Sequence, residues 1–257
     1  MMHTRLHVCM AAAAMILAAV AAPASAQVPL ASPDEKPAEL TREAFASPYG
    51  RAMVAEFNTV LRASADPACL QSKNLKPEQL AQRGEALITR WSAHAMEALA
   101  SFINISIYEM KLAKSAGIGA EAELKRLEAN PDVKRYRAIE RPRRLAFVLD
   151  YVFEQFSRYA LIHRVKFGQV SPIATGNETL ARANPTEKVE AELAQFLKVN
   201  KSPQLQRYLE LNEQVAAALA ASLNTEQTRN NFSPAALFRG VEKDLAALCV
   251  PDLNNPR

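Results

Sequence analysis

Residues 85–116 contain neither glycine nor proline, and this run of 32 residues limits the fold more than any other feature of the sequence. A β-strand in a globular protein rarely exceeds about ten residues, so a run this long predicts helix. Leu80, Leu87 and Trp91 recur at helical spacing at its start. The isoleucines of residues 103–107 alternate with polar residues as in a strand, but no turn residue flanks them. We therefore expect helix there too.

The other segments begin in a manner typical of helices. A polar residue precedes proline at Ser47-Pro48 and Ser233-Pro234, and proline suits the first helical position after a capping residue. Hydrophobic residues at 49% and charged residues at 23% match the composition of globular proteins. No segment has a convincing strand pattern. The sequence predicts an all-α fold, a bundle of about seven helices.

Helix boundaries follow from the proline and glycine positions. The expected helices cover residues 48–65, 77–116, 120–129, 131–141, 143–167, 185–199, 203–223 and 234–249. Residues 169–184 are rich in polar residues and form the longest expected loop. We expect a single helical domain over residues 41–257, because no polar linker separates two patterned halves. A domain boundary within that loop is the alternative.

The N-terminus resembles a secretory signal peptide. Arg5 precedes an apolar run over residues 11–22, and Ala24-Ser25-Ala26 supplies small residues for cleavage. The apolar run is shorter than the roughly 20 residues that a spanning helix needs. These features predict cleavage after Ala26 and a periplasmic or secreted protein; an uncleaved N-terminal anchor is the alternative. The proline-rich residues 27–40 are expected to form a flexible leader.

The charge and cysteine content agree with export. The chain carries 31 basic and 27 acidic residues, and removal of residues 1–26 takes away only Arg5. Such a mild positive charge does not indicate a nucleic-acid binder. Cys69 and Cys249 remain after cleavage, and in an oxidising compartment they are expected to form a disulfide. Two free, buried thiols are the alternative.

Motifs for metal binding and for catalysis are missing from the sequence. His94 and His163 alone remain after cleavage, too far apart in the sequence for an HExxH motif and too few for a three-histidine site, and no Gly-x-Ser-x-Gly motif marks a nucleophile. We predict no catalytic residue, no metal site and no cofactor. The alternative is a hydrolase that uses Glu97, Glu109 or Asp150 together with one of the two histidines.

Residues 134–144, called here the basic segment, depart from the mild overall charge. They hold six positive side chains against the single acid Glu140: Lys134, Arg135, Arg137, Arg141, Arg143 and Arg144. Guanidinium groups bind phosphate and carboxylate groups with paired hydrogen bonds, so the segment predicts an anion-binding site. The residues assigned to this site are Arg137, Arg141, Arg143 and Arg144. Pro142 is expected to interrupt the helix and to gather them at a bend.

The alternative for the basic segment is a surface neutralised within the molecule. Glu121, Glu123 or Glu128 on a neighbouring helix would then pair with the arginines. This alternative predicts a carboxylate within about 4 Å of each arginine.

Aromatic residues are concentrated in the helix that follows the basic segment. They are Phe147, Tyr151, Phe153 and Phe156. Packing in the core is the expected role of these residues. The alternative is a carrier of an apolar ligand, which requires a dry pocket with an opening.

Residues 45–51, Phe-Ala-Ser-Pro-Tyr-Gly-Arg, resemble the Phe-x-Ser-Pro-x-Gly-Lys/Arg run of a family of bacterial secreted helical proteins of unknown function. Residues 192–209 resemble the same pattern, with Leu205 in place of the glycine and extra residues before Ser202-Pro203. The resemblance implies an envelope protein built from helical hairpins and implies no activity.

Together these features predict an exported, non-catalytic helical protein that binds a partner or supports the envelope. The expected partner is an envelope protein or an anionic envelope component. No nucleic-acid partner is expected, and no transmembrane span after signal cleavage.

Overall fold

The computed structural model describes residues 34–113, 120–162, 178–223 and 233–251. Within these ranges the chain forms helices and no strand, which confirms the all-α fold. The helices are α1 (Pro37–Ala46), α2 (Pro48–Ser64), α3 (Pro67–Ser72), α4 (Pro77–Ala113), α5 (Ala120–Glu128), α6 (Pro131–Ile162), α7 (Glu178–Ala183), α8 (Thr186–Val199), α9 (Pro203–Leu223), α10 (Pro234–Leu237) and α11 (Val241–Ala247). Eight of them have seven or more residues, close to the expected number.

Two long helices occupy the centre of the bundle. Helix α4 packs against α1, α2, α5, α6, α9 and α10. Helix α6 packs against α1, α2, α4, α5, α8, α9 and α10. Apolar side chains of both helices, such as Ile88 and Phe153, are completely buried. Helix α4 passes through the isoleucine alternation, so helix was the correct expectation there. None of the described helices is long and apolar enough to cross a membrane.

Helices α1 and α2 meet at a tight corner that explains residues 45–51. Ser47 ends α1 and begins α2, and its Oγ accepts a hydrogen bond from the Gly50 amide at 3.0 Å. A Cβ atom on Gly50 would lie 2.2 Å from the Ala44 carbonyl oxygen, so only glycine fits. Arg51 donates a hydrogen bond to the carbonyl oxygen of Ala46 at the end of α1.

The predicted disulfide joins the end of the bundle to α3. Cys69 and Cys249 form it with a Cα–Cα distance of 5.6 Å, within the range that a disulfide allows. The expected helix over residues 234–249 is instead α10 and α11. Gly240 between them has φ 88°, a left-handed conformation that interrupts a helix.

The expected interruption at Pro142 was wrong. Helix α6 continues through this residue from Pro131 to Ile162, so residues 131–141 and 143–162 form one helix. Proline removes one backbone donor from a helix, but both parts of α6 are held by packing against neighbouring helices. Tertiary contacts therefore outweigh the local preference of this residue.

Two expected irregular segments are partly helical. Helix α1 begins at Pro37, and Leu40 is buried, so the end of the predicted flexible leader belongs to the core. Residues 178–183 of the expected long loop form α7, whose Leu180 is buried. The signal peptide, residues 27–33 and His163 lie outside the described residues.

Candidate anion-binding cleft

One face of α6 lines a charged cleft of about 360 Å³. Lys134, Arg137, Arg141 and Arg144 project from this face because they follow helical spacing. Asp34 and Glu35, which precede α1, form the opposite wall. The cleft thus brings together three of the four predicted anion-binding arginines. Their grouping results from the helical period, without the interruption expected at Pro142.

Glu35 holds the centre of this cleft. Its Oε1 accepts a hydrogen bond from Arg141 Nη1 at 2.5 Å, and its Oε2 accepts one from Arg144 Nη2. Arg137 Nη2 lies 3.7 Å from the same Oε2 atom. The Arg144 side chain is only 3% exposed and that of Glu35 18%. One carboxylate therefore engages three guanidinium groups, two of them through charge-assisted hydrogen bonds.

Further carboxylates hold the edges of the cleft. Arg141 donates hydrogen bonds to both carboxylate oxygens of Glu43 on α1, through Nε at 2.7 Å and through Nη2. This hydrogen bonding lowers the pKa of Glu43. Arg137 pairs with Glu128 of α5 at 3.2 Å, and Lys125 of α5 pairs with Asp34 at 2.8 Å.

Arg143 lies apart from the cleft. It pairs with the buried Glu140 at 2.6 Å and with Glu190 of α8 at 3.9 Å. Arg135 also lies apart from the cleft, over the ring of Phe196 and 5.5 Å from the ring centroid. Lys134 lies exposed at the rim of the cleft.

The four predicted arginines are all neutralised within the molecule. Each lies no farther than 3.2 Å from a carboxylate oxygen, as the ion-pairing alternative requires. Of the three acids named for this role, Glu128 takes part, whereas Glu123 instead binds Arg207 of α9 at 2.9 Å. The principal partner, Glu35, was missed by sequence reasoning because it lies in the segment that we expected to be flexible.

A second polar contact lies between α2 and α6. The Tyr49 hydroxyl donates a hydrogen bond to Asp150 Oδ1 at 2.6 Å. Burial raises the pKa of Asp150 to about 6, and the hydrogen bond from Tyr49 partly opposes this shift. Burial and the neighbouring carboxylate also raise the pKa of the Tyr49 hydroxyl. This hydrogen bond links α2 to α6.

The other residues of the hydrolase hypothesis do not assemble in the described part of the chain. His94, Glu97 and Glu109 are exposed on α4. No hydrogen bond joins His94 to a carboxylate in the described ranges. Glu154, beside Asp150, pairs with Arg158 on the surface, as its spacing predicts.

The aromatic residues of α6 divide between core and surface. Phe153 and Phe156 are buried, and Phe156 contacts the rings of Phe57, Trp91 and Phe238. Phe147 and Tyr151 stack at 6.4 Å and are partly exposed. The contacts of Phe156 agree with core packing.

Searches for a metal cluster and for relatives give no assignment. Among the residues that the structure describes, no group of three or more His, Cys, Asp or Glu side chains is arranged to hold a metal ion. The chain matches no protein-family profile, no curated protein and no solved structure. The resemblance of residues 45–51 to a family of secreted helical proteins therefore stays a prediction.

Proposed function

We propose that this chain is an exported, non-catalytic helical protein that binds an anionic partner through the cleft of α6. The carboxylate of Glu35 carries the proposal, because two arginines bind it and a third lies nearby. A site that holds one carboxylate in this manner has the donor geometry to hold another. The proposed location, periplasmic or secreted, rests on the signal peptide.

Four cations line the cleft, together with the carboxylates of Asp34 and Glu35. Two further carboxylates, Glu43 and Glu128, pair with Arg141 and Arg137 at its edges. Lys134 and Arg141 are the most accessible of these cations. Lys134 has no carboxylate within salt-bridge distance in the described ranges, so an incoming anion can meet this cation at the rim before it reaches the buried Arg144. The attraction between such charges weakens with salt.

A retention experiment tests this function. The mature protein is immobilised and exposed to envelope extract at low and high salt, as wild type and as Lys134→Gln/Arg141→Gln. The control, Lys188→Gln/Arg182→Gln, removes two positive charges outside the cleft. We expect a partner that the cleft variant and high salt both release, while the control retains it. Equal retention by all three proteins would refute the binding role of the cleft.

Export is tested separately. Intact mass of the protein recovered from the periplasm or medium should correspond to a chain beginning at Gln27. A chain that still carries residues 1–26, or one recovered only from the cytoplasm, would contradict the proposed location.

A further inference from the structure

The segment that supplies carboxylates to the cleft directly precedes α1. Asp34 lies in a turn, residues 35 and 36 are not helical, and Lys36 has an extended backbone with φ −82° and ψ 125°. Among the described residues, Asp34 and Glu35 line the cleft from this side. Two consecutive acidic residues of a non-helical segment thus provide the internal carboxylates of the cleft.

The two acidic side chains contact different helices. Asp34 reaches Lys125 of α5, whereas Glu35 reaches Arg141 and Arg144 of α6. Two consecutive side chains of one short segment thus contact two helices, as the side chains of a bound peptide can. A single phosphate group presents its oxygens at one place and cannot reproduce both contacts. The arrangement therefore fits an acidic peptide better than an isolated phosphate group.

Hydrogen-bonding capacity remains at the cleft. The buried Nε atom of Arg137 has no hydrogen-bond partner in the described structure. Lys134 at the rim has no carboxylate within salt-bridge distance in the described ranges, whereas Glu35 divides one carboxylate among three arginines. A peptide with an additional acidic residue can use these donors as well.

We propose that the cleft is a receptor for an acidic segment of a partner protein, and that Asp34 and Glu35 pair with the cations at the cleft until that segment replaces them. This inference rests on the proposed function and specifies the ligand. The exchange conserves the bonds between carboxylate and guanidinium groups, so neither state leaves Arg144 buried without a carboxylate. The attached segment competes at an effective concentration on the order of millimolar, so a partner must bind strongly or hold the cleft at a second point.

The experiment uses a labelled peptide of residues 32–36, Ser-Pro-Asp-Glu-Lys, with blocked ends, and the mature protein. Glu35→Gln keeps the size of the side chain and removes its charge, whereas the control, Glu154→Gln, removes an exposed carboxylate elsewhere on α6. We expect Glu35→Gln to bind the peptide roughly tenfold or more tightly than wild type and the control, because the internal competitor is weakened. Binding should decrease with salt, with the neutral peptide Ser-Pro-Asn-Gln-Lys, and with Lys134→Gln added to the variant.

A second variant allows for the failure of Glu35→Gln to fold. Glu35→Asp keeps the charge on a shorter side chain, and it should bind the peptide several-fold more tightly than wild type. Equal peptide binding by wild type and by the folded variant, or no binding to either, would overturn the inference.

The remaining outcomes separate the inference from the proposed function. If inorganic phosphate or vesicles of anionic lipid bind Glu35→Gln better than the peptide does, the peptide receptor is refuted and an anion site remains. If the peptide fails while Lys134→Gln/Arg141→Gln still releases a partner from wild type, the proposed function stands without this inference. If no probe binds and partner retention is unchanged, both are refuted.

Discussion

Two consecutive segments of one helix are stabilised in different ways. The basic segment, residues 134–144, buries Arg144 and Glu140 and is held by carboxylates from α1, α5, α8 and residue 35. The segment that follows, residues 145–162 and called here the aromatic segment, buries Phe153 and Phe156 among other rings. The first arrangement is a network of ion pairs at the cleft for which we propose ligand binding, and the second is packed core. One helix thus combines the proposed binding surface with a scaffold.

The largest effect is expected in the aromatic segment. Phe156→Ala removes a fully buried ring that contacts Phe57, Trp91 and Phe238, so unfolding free energy should fall by about 3–5 kcal/mol. Phe147→Ala, at a partly exposed ring of the same segment, serves as the control and should lose less. Urea unfolding measures both. Equal losses would contradict the division of this segment into core and surface.

Removal of the disulfide tests whether the basic and the aromatic segments of α6 unfold together. Cys69→Ser/Cys249→Ser opens a cross-link between residues 180 apart in sequence, with a typical cost of about 2–4 kcal/mol. Because the bridge joins α3 to the segment that follows α11, and neither cysteine belongs to α6, the variant should accelerate hydrogen exchange alike in both segments of α6. Faster exchange in one segment alone would show that they unfold separately.

A smaller loss is expected in the basic segment. Glu35→Gln removes charge-assisted hydrogen bonds to Arg141 and Arg144, so unfolding free energy should fall by about 1.5–3 kcal/mol. Glu154→Gln, whose pair with Arg158 is exposed, should change it by less than about 1 kcal/mol. Urea unfolding again provides the values. A loss from Glu35→Gln as small as that from the control would mean that the cleft contributes little to stability.

The smallest and most specific effect is the pH dependence of stability. It should have opposite signs for Asp150 of the aromatic segment and for Glu43 of α1, which pairs with Arg141 of the basic segment. Asp150 has a pKa of about 6 in the folded protein against an ordinary 3.8, so its contribution is complete below the lower value and is lost as pH rises through the higher one. The pKa of Glu43 is lowered from 4.5, so its contribution is present above 4.5 and is lost as pH falls.

Variants of these two carboxyl groups separate the effects. Asp150→Asn should remove the loss of stability as pH rises toward neutrality, because the amide oxygen still accepts the Tyr49 hydrogen bond. Glu43→Gln should reduce the loss of stability in acid. Melting temperature recorded from about pH 3 to about pH 8 distinguishes the two. The same direction of change in both variants would contradict the assignment.

Sequence reasoning predicted the helices better than their boundaries. Ser-Pro starts and the run without glycine identified α2, α4 and α10 because capping and periodicity are local properties. The predictions at Pro142 and Gly240 were wrong in opposite ways: an interruption was expected at the first, and a continuous helix at the second. Helix α6 continues through Pro142 because both of its parts pack against neighbouring helices. Gly240, in a left-handed conformation, divides a segment that the sequence pattern predicts as one helix. Neither outcome is encoded within a few residues.

The sequence pointed to the arginines of the candidate site and not to their carboxylate partner. The arginines stood out as a cluster, but their partner Glu35 lies 109 residues from Arg144 in a proline-rich segment with no helical pattern. Ion pairs follow no sequence period, and an acidic residue in an expected flexible leader is expected to be exposed to solvent. A search for acidic residues outside the expected domain would have identified Glu35 as a candidate partner of the arginines, but not its position in the fold.

The sequence alone determined the all-α character and the pairing of Cys69 with Cys249, since these depend on local periodicity and on the count of cysteines. Only the tertiary structure decided that Leu40 joins the core, that α6 is continuous and that Glu35 pairs with the arginines of the cleft. These features arise from contacts between residues far apart in the chain. Their energy depends on distance and burial in the folded molecule, which no local pattern encodes.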